Sequence, residues 1–433
     1  MSRGLIVRAP LIHTPASPFQ SSDALRAHED GGLLIVNGRI AASGSYVEVR
    51  SAAGETETVD YRGGYLLPGF VDTHVHFPQL RIIGGLGRTL LDWLEHVALP
   101  EEVRMGDPTC ASDTAHRFVH ALVSHGTTTA LVFGAHFAGA TAALFEAAHG
   151  AGIRLVSGLV VSDRALRPEL HQSAADAYRD STALIERFHG KGRLRYAVTP
   201  RFALSTSEAM LEACQTLVRE HPDVHVQTHI NEQPEEIAAC MTAFPWARDY
   251  LAIYEHYSLT GARAVLAHNV HGTAAELERM AGTRTSVAHC PCSNAALASG
   301  IFPMRRHLEA GVHVALGTDV GGGTGFGMLK EALQAYLMQR VAPDGTRLGP
   351  AHLLYLATLA GAEALGLEAD TGDLSPGKSA DFVYLRPPPD SPLAGALERA
   401  DTMEQALAAI VTMGDAAAIQ EVRIGGEVVG GRR

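Results

Sequence analysis

From Tyr65 onward the chain alternates eight short β-rich runs with longer helical patterns, and no other feature narrows its fold so far. The runs are "YLLPGFVDTHV", "TTTALVF", "RLVSGLVV", "LRYAVTP", "VHVQTHI", "AVLAH", "TSVAHC" and "VHVALGTD". Between them lie stretches such as "PTCASDTAHRFVHALVSHG" and "SEAMLEACQTLVREH", whose apolar residues fall near helical spacing. Repeated βα units of this kind predict a parallel sheet, and eight of them predict a closed (β/α)8 TIM barrel. A length of 433 residues accommodates such a barrel together with a smaller domain.

The two ends of the chain have a different texture. "GLIVRAPLI", "GGLLIVNGRIAASG" and "ETVDYRGGYLLPG" set short apolar runs beside Asn-Gly and Gly-Ser turns, which reads as antiparallel hairpins. "SADFVYLRP" and "IQEVRIGGEVVGG" repeat that texture, so both ends are expected to share one small β-sandwich beside the barrel. The expected division is residues 1–66 and 370–433 for the two parts of the sandwich and 67–369 for the barrel.

Barrel active sites sit at the C-terminal ends of the strands, and titratable residues collect there repeatedly. The first strand ends in His74, His76 and Gln79, and the fourth runs into Arg201 and Phe202. The fifth ends at His229 with Glu232 after it, the sixth at His268, the seventh at His289 and the eighth at Asp319. Residues two apart in a strand point the same way, so His74 and His76 can reach one point in space. Histidine nitrogens with a carboxylate oxygen suit Zn²⁺ or Fe²⁺, and His74, His76, His229 and Asp319 are read as the ligands. His268 then orients the activated water or the developing oxyanion, or is itself a ligand; His289 fits a functional or a structural role equally. A second metal would want a bridging lysine at the end of the fourth strand, where Arg201 stands; the only lysines are Lys191, Lys330 and Lys378. One metal per subunit follows, which makes hydroxide available near neutral pH. Glu232, beside a ligand, suits general acid/base work, and Asp319 could share its proton.

Other functions are disfavoured. A net charge of −12 without a basic cluster argues against nucleic acid. No apolar run is long enough for a membrane span, the first residues do not read as an export signal, and five scattered cysteines fit a reducing cytoplasm. "GGGTGFGMLK" lacks the ending of a phosphate loop and reads as a loop at the barrel mouth. "HCPCSN" is a weak metal motif, and the paired motifs of the cytidine-deaminase fold are absent.

The set "PGFVDTHVHFPQ", His229 with Glu232, the sixth-strand "AH", "AHCPCSN" and "LGTDVGGG" resembles the amidohydrolase superfamily in its mononuclear deaminase branch, over nearly the whole chain. "LDWLEHVALPEE", "HGTTTA", "VTPRFALSTSE", "QTHINEQ" and "SGIFPMRRHLEAGV" are similar to stretches of the guanine deaminase family. The resemblance implies zinc-dependent hydrolysis of guanine to xanthine and ammonia in a cytoplasmic homodimer. It also implies that Gln79, Arg201 and Phe202 hold the purine, with Trp93 and His268 lining the pocket. Attack at C2 would be matched by protonation of the neighbouring ring nitrogen from Glu232, while His268 steadies the tetrahedral oxygen. The alternative within the same metal chemistry is another amino-heterocycle, such as 8-oxoguanine, a pterin or an s-triazine; the alternative outside it is a non-catalytic barrel. Two positions depart from the family pattern, Asn269 in place of glycine and Cys292 in place of asparagine.

Overall fold

The computed structural model describes residues 4–431, so the first three and last two residues of the expected sandwich segments lie outside it. Among the described residues, seventeen strands form two sheets. In chain order they are β1 (Leu5–His13), β2 (Arg26–Val36), β3 (Arg39–Ser45), β4 (Glu57–Asp60) and β5 (Tyr65–Pro68), then β6 (Phe70–His76), β7 (Thr127–Phe133), β8 (Arg154–Gly158), β9 (Val160–Val161) and β10 (Leu194–Pro200). There follow β11 (His225–Ile230), β12 (Ala264–His268), β13 (Ser286–His289), β14 (Val314–Leu316), β15 (Phe382–Leu385), β16 (Ile419–Ile424) and β17 (Glu427–Gly431).

Strands β6 to β14 make the barrel, paired in parallel in the order β14-β13-β12-β11-β10-β8-β7-β6, with β9 continuing beside β10. Helices cover its outside and side chains fill its inside, so strands such as β7 are buried at every residue and show no alternation of polar and apolar faces. The flanking helices bury one stripe each. In helix Pro108–Ser124, Asp107 caps the N-terminus by accepting from the Cys110 amide, and Ala111, Ala115, Phe118, Val119 and Leu122 form the buried face.

The seam between β14 and β6 closes the barrel and places the chemistry. The Thr73 hydroxyl donates to the Leu316 carbonyl at 2.8 Å, the Asp319 amide to the His74 carbonyl at 2.8 Å and the His76 amide to the Val320 carbonyl at 2.9 Å. The backbones meet so closely that a Cβ on Gly317 would lie 2.7 Å from that of His74. Asp72 staples the same seam, accepting from the Thr318 amide at 3.0 Å, the Thr318 hydroxyl at 2.6 Å and the His74 amide at 3.2 Å.

Both ends of the chain form the other sheet, in the order β17-β16-β15-β5-β1-β2-β3 with β4 beside β1, around a core that includes Val7, Leu11, Leu33, Leu66 and Phe382. Two local expectations change here. "ETVDYRGGYLLPG" is not a hairpin: β4 and β5 each lie parallel to a different part of β1. "YLLPGFVDTHV" is two strands, β5 in the end sheet and β6 in the barrel, joined at Gly69, where a Cβ would meet the Thr128 hydroxyl at 2.1 Å. No helix among the described residues is long and apolar enough to cross a membrane.

Candidate active site

Three strand ends, those of β6, β11 and β14, bring His74, His76, His229 and Asp319 together, with one donor atom from each lying within 4.8 Å of the others. His76 Nε2 is 3.2 Å from His74 Nε2 and 3.2 Å from His229 Nε2. Asp319 Oδ1 lies 3.2 Å from the Nε2 atoms of both His74 and His76. The protonation pattern fits a cation at their centre. His229 donates from Nδ1 to the Arg201 carbonyl at 2.6 Å, which turns the Nε2 lone pair inward. Burial, followed by the neighbouring His74 and His76, holds the His229 imidazole well below its ordinary pKa, and burial pushes His74 down to about 3. Burial alone would raise the Asp319 carboxyl, but its contacts with His74 and His76 keep it well below the usual range. Four of the donor pairs among three imidazoles and one carboxylate are 3.2 Å apart, close to the edge, about 3.3 Å, of a tetrahedron with arms of about 2.0–2.1 Å. The donor set fits one divalent metal ion.

Beside it stands a cavity lined by Gln79, Trp93, Arg201, Phe202, Glu232, His268 and Asp319, with Leu90, Leu94 and Leu297 on its apolar side. Of the residues assigned a metal, catalytic or ring-holding role from the sequence, all but His74 line this cavity, and His74 Nε2 lies 3.2 Å from Asp319 Oδ1. Trp93, Leu90, Leu94, Phe202 and Leu297 pack as one cluster, which keeps that wall dry. Glu232 accepts from the Ser299 hydroxyl at 3.1 Å, and its carboxyl is pushed up to about 8 by burial and then by the charge of Asp319. Protonated near neutral pH, it is an acid poised to give its proton away. His268 donates from Nδ1 to Asn294 Oδ1 at 3.0 Å, leaving Nε2 3.4 Å from Glu232 and 3.8 Å from Asp319. His268 and Asp319 both hold left-handed backbone, φ 73° and 47°, a conformation that non-glycine residues adopt at a cost of about 1–3 kcal/mol.

The remaining candidates fall outside. His289 stacks on Phe302 at 4.3 Å, and burial pushes its pKa down to about 3. Asn269, where the resemblance led glycine to be expected, holds φ 44°, which asparagine tolerates, and its side chain bonds Asn231 and His307 rather than lining the cavity. Cys292 is buried beside Glu331, and it too is absent from the lining. Sequence reasoning passed over Asp72, Glu102, Asn294 and Ser299, each of which hydrogen-bonds a site residue from a distant or unremarkable position. "AHCPCSN", read as a weak metal motif and as part of the superfamily resemblance, contained the one usable signal, since Asn294 ends it.

Fold and site together define a metal-dependent hydrolase. The amidohydrolase family profile matches residues 65–429. Over 430 residues, 98% of each chain, the sequence is 56% identical to a probable guanine deaminase of Deinococcus radiodurans. It is 39% identical to the guanine deaminase of Escherichia coli, with 97% of this chain and 95% of the relative aligned. The solved E. coli guanine deaminase superposes with a TM-score of 0.94 at 37% identity, covering 99% of this chain and all of that one. The chain belongs to the amidohydrolase family and, within it, to the guanine deaminases.

Proposed function

We propose that the protein hydrolyses guanine to xanthine and ammonia, with one zinc ion per subunit held by His74, His76, His229 and Asp319. The observation that carries this reading is the cavity in which a buried acid, an aromatic face and hydrogen-bonding side chains meet three of the four metal donors, His76, His229 and Asp319. Zinc suits an all-nitrogen-and-carboxylate set of this size, and when bound it supplies a Lewis acid that makes hydroxide available near neutral pH. The chain's own residues do the rest. Phe202 gives a face to the planar base, Gln79 offers an amide donor and acceptor, and Arg201 donates to the O6 carbonyl. Glu232 gives its proton to the ring nitrogen beside C2, which makes that carbon electrophilic as the nucleophile arrives. His268, its Nδ1–H held by Asn294, turns Nε2 toward the oxygen that becomes the new carbonyl and hydrogen-bonds its hydroxyl. Proton return through Glu232 or Asp319 lets the C2–amine bond break with both electrons on nitrogen, and ammonia departs. Trp93 and its leucine neighbours exclude bulk water meanwhile. A cytoplasmic homodimer is part of the same reading.

Ammonia release by the zinc-loaded protein, measured with guanine, adenine, cytosine and 8-oxoguanine side by side, tests the assignment. Guanine is expected to turn over with kcat/KM above about 10⁴ M⁻¹s⁻¹. Turnover of another base in its place would keep the metal chemistry and show that Gln79, Arg201 and Phe202 read a different ring. Arg201→Ala is expected to raise KM and lower kcat/KM by about 10²-fold, because a buried carbonyl contact is lost; unchanged kinetics would mean that the ring sits elsewhere.

A further inference from the structure

Behind the cavity wall, two of its polar side chains meet on one carboxylate. Glu102, in the short helix Leu99–Val103, is buried and does not line the cavity. Its Oε1 accepts from Gln79 Nε2 at 2.7 Å and from Arg201 Nη1 at 2.8 Å, and its Oε2 is 2.9 Å from the same Nη1. His136 Nδ1 lies 3.3 Å from Oε2. Burial alone would raise the Glu102 carboxyl, but the Arg201 charge and His136 hold it well below its usual range, so it remains an anion.

The arrangement removes a freedom that the cavity would otherwise have. A glutamine amide is nearly symmetric in shape and can turn over, exchanging donor for acceptor. Gln79 receives the Gly321 amide proton on Oε1 at 2.9 Å while its Nε2 faces the carboxylate. The flipped amide would set oxygen against carboxylate oxygen and N–H against N–H, so only one orientation satisfies both neighbours. Arg201 commits Nη1 alone to Glu102, which leaves Nε and Nη2 for a ligand. The ion pair carries no net charge, so the cavity offers donors without favouring an anion. Stability does not demand such a pair, since buried ion pairs are often replaceable by apolar side chains at no cost.

We infer that Glu102 is a positioning residue that sets the hydrogen-bond pattern the cavity reads, by fixing the Gln79 amide and aiming the free donors of Arg201 at a ring carbonyl. The inference rests on the purine reading given above. It predicts a defect in recognition rather than in chemistry.

The test uses the zinc-loaded full chain. With Glu102→Gln, KM for guanine is expected to rise about 10- to 100-fold while kcat changes by less than about threefold and metal content stays the same. Calorimetry with two non-reacting ligands isolates the carbonyl: wild type binds hypoxanthine at least about tenfold more tightly than purine, which lacks that oxygen, and the variant brings the two within about threefold. Because Glu102→Gln leaves a buried guanidinium unpaired and can fail to fold, Glu102→Asp is run beside it. Aspartate keeps the charge but withdraws the oxygens by a methylene, and it should move KM and ligand preference the same way. Wild-type KM and preference in the folded variants would overturn the inference, as would equal weakening of both ligands, which marks a purely structural role. Guanine turnover by a wild type that does not prefer hypoxanthine would overturn it while leaving the deaminase reading standing. Failure of wild type to bind or turn over any purine would remove both.

Discussion

Replacing Glu232 with glutamine lowers kcat by about 10³-fold and leaves the metal in place, within the usual worth of a positioned acid/base. The substitution is close to isosteric, and its amide oxygen can still accept from the Ser299 hydroxyl that holds Glu232 at 3.1 Å. Glu232 is not one of the four converging donors, so metal content gives a control on folding. Lost is the ability to deliver a proton and take it back. The environment of this carboxyl explains why the loss is large: burial, reinforced by Asp319, raises it from 4.5 to about 8, so the acid form persists at a pH where an exposed glutamate would be ionised. The same shift has a signature in stability. In the metal-free protein the folded state keeps a proton that the unfolded state releases above 4.5, so this group's contribution falls as pH rises from 4.5 to about 8. Glutamine has no such penalty. The variant should therefore gain thermal midpoint relative to metal-free wild type, and gain more at about pH 8 than at about pH 5. Near-wild-type turnover in the variant would take Glu232 out of the mechanism.

The sequence disclosed some parts of this molecule and hid others for identifiable reasons. Barrel strands are buried on both faces, so β12 stands out as an apolar run that closes on His268. The alternation in "THVH", His229 next to the end of β11 and His268 at the end of β12 could be placed at one barrel end without coordinates, because strand direction fixes which end they share. The join at Gly69 could not, since the run stays apolar through a change of sheet and only the approach of Thr128 marks it. Strands β4 and β5 were obscured by the turn-like "YRGG" between them, while their true partner β1 lies far back in the chain. Glu102 was hidden for a similar reason. It follows another glutamate on a short helix; Glu101 pairs locally with Arg104, whereas Glu102 bonds an arginine 99 residues away. Two adjacent acids with opposite fates cannot be told apart by composition or period, because the difference is made wholly by the tertiary partner.

Removing the carboxylate of the donor set tests the other half of the site. Asp319→Ala leaves three imidazoles, and a divalent ion held only by these loses its one anionic partner. Outer partners of metal ligands are worth about 10- to 100-fold in affinity, and a ligand itself is worth more, so the variant should lose its ion on dialysis. With the ion goes several kcal/mol of charge stabilisation, and turnover should fall by about 10³-fold or more. Chelation separates this from simple misfolding. In wild type, stripping the ion exposes lone pairs to one another at 3.2 Å, and the thermal midpoint should drop because a ligand specific to the folded state has been withdrawn. In Asp319→Ala the lone pairs of His74, His76 and His229 face each other already, so the same chelator should leave the midpoint where it is. The Asp319 backbone amide still donates to the His74 carbonyl at 2.8 Å in the variant, so the barrel seam is retained and a cooperative transition is expected. An equal drop on chelation in both proteins would place the stabilising ion somewhere other than these strand ends.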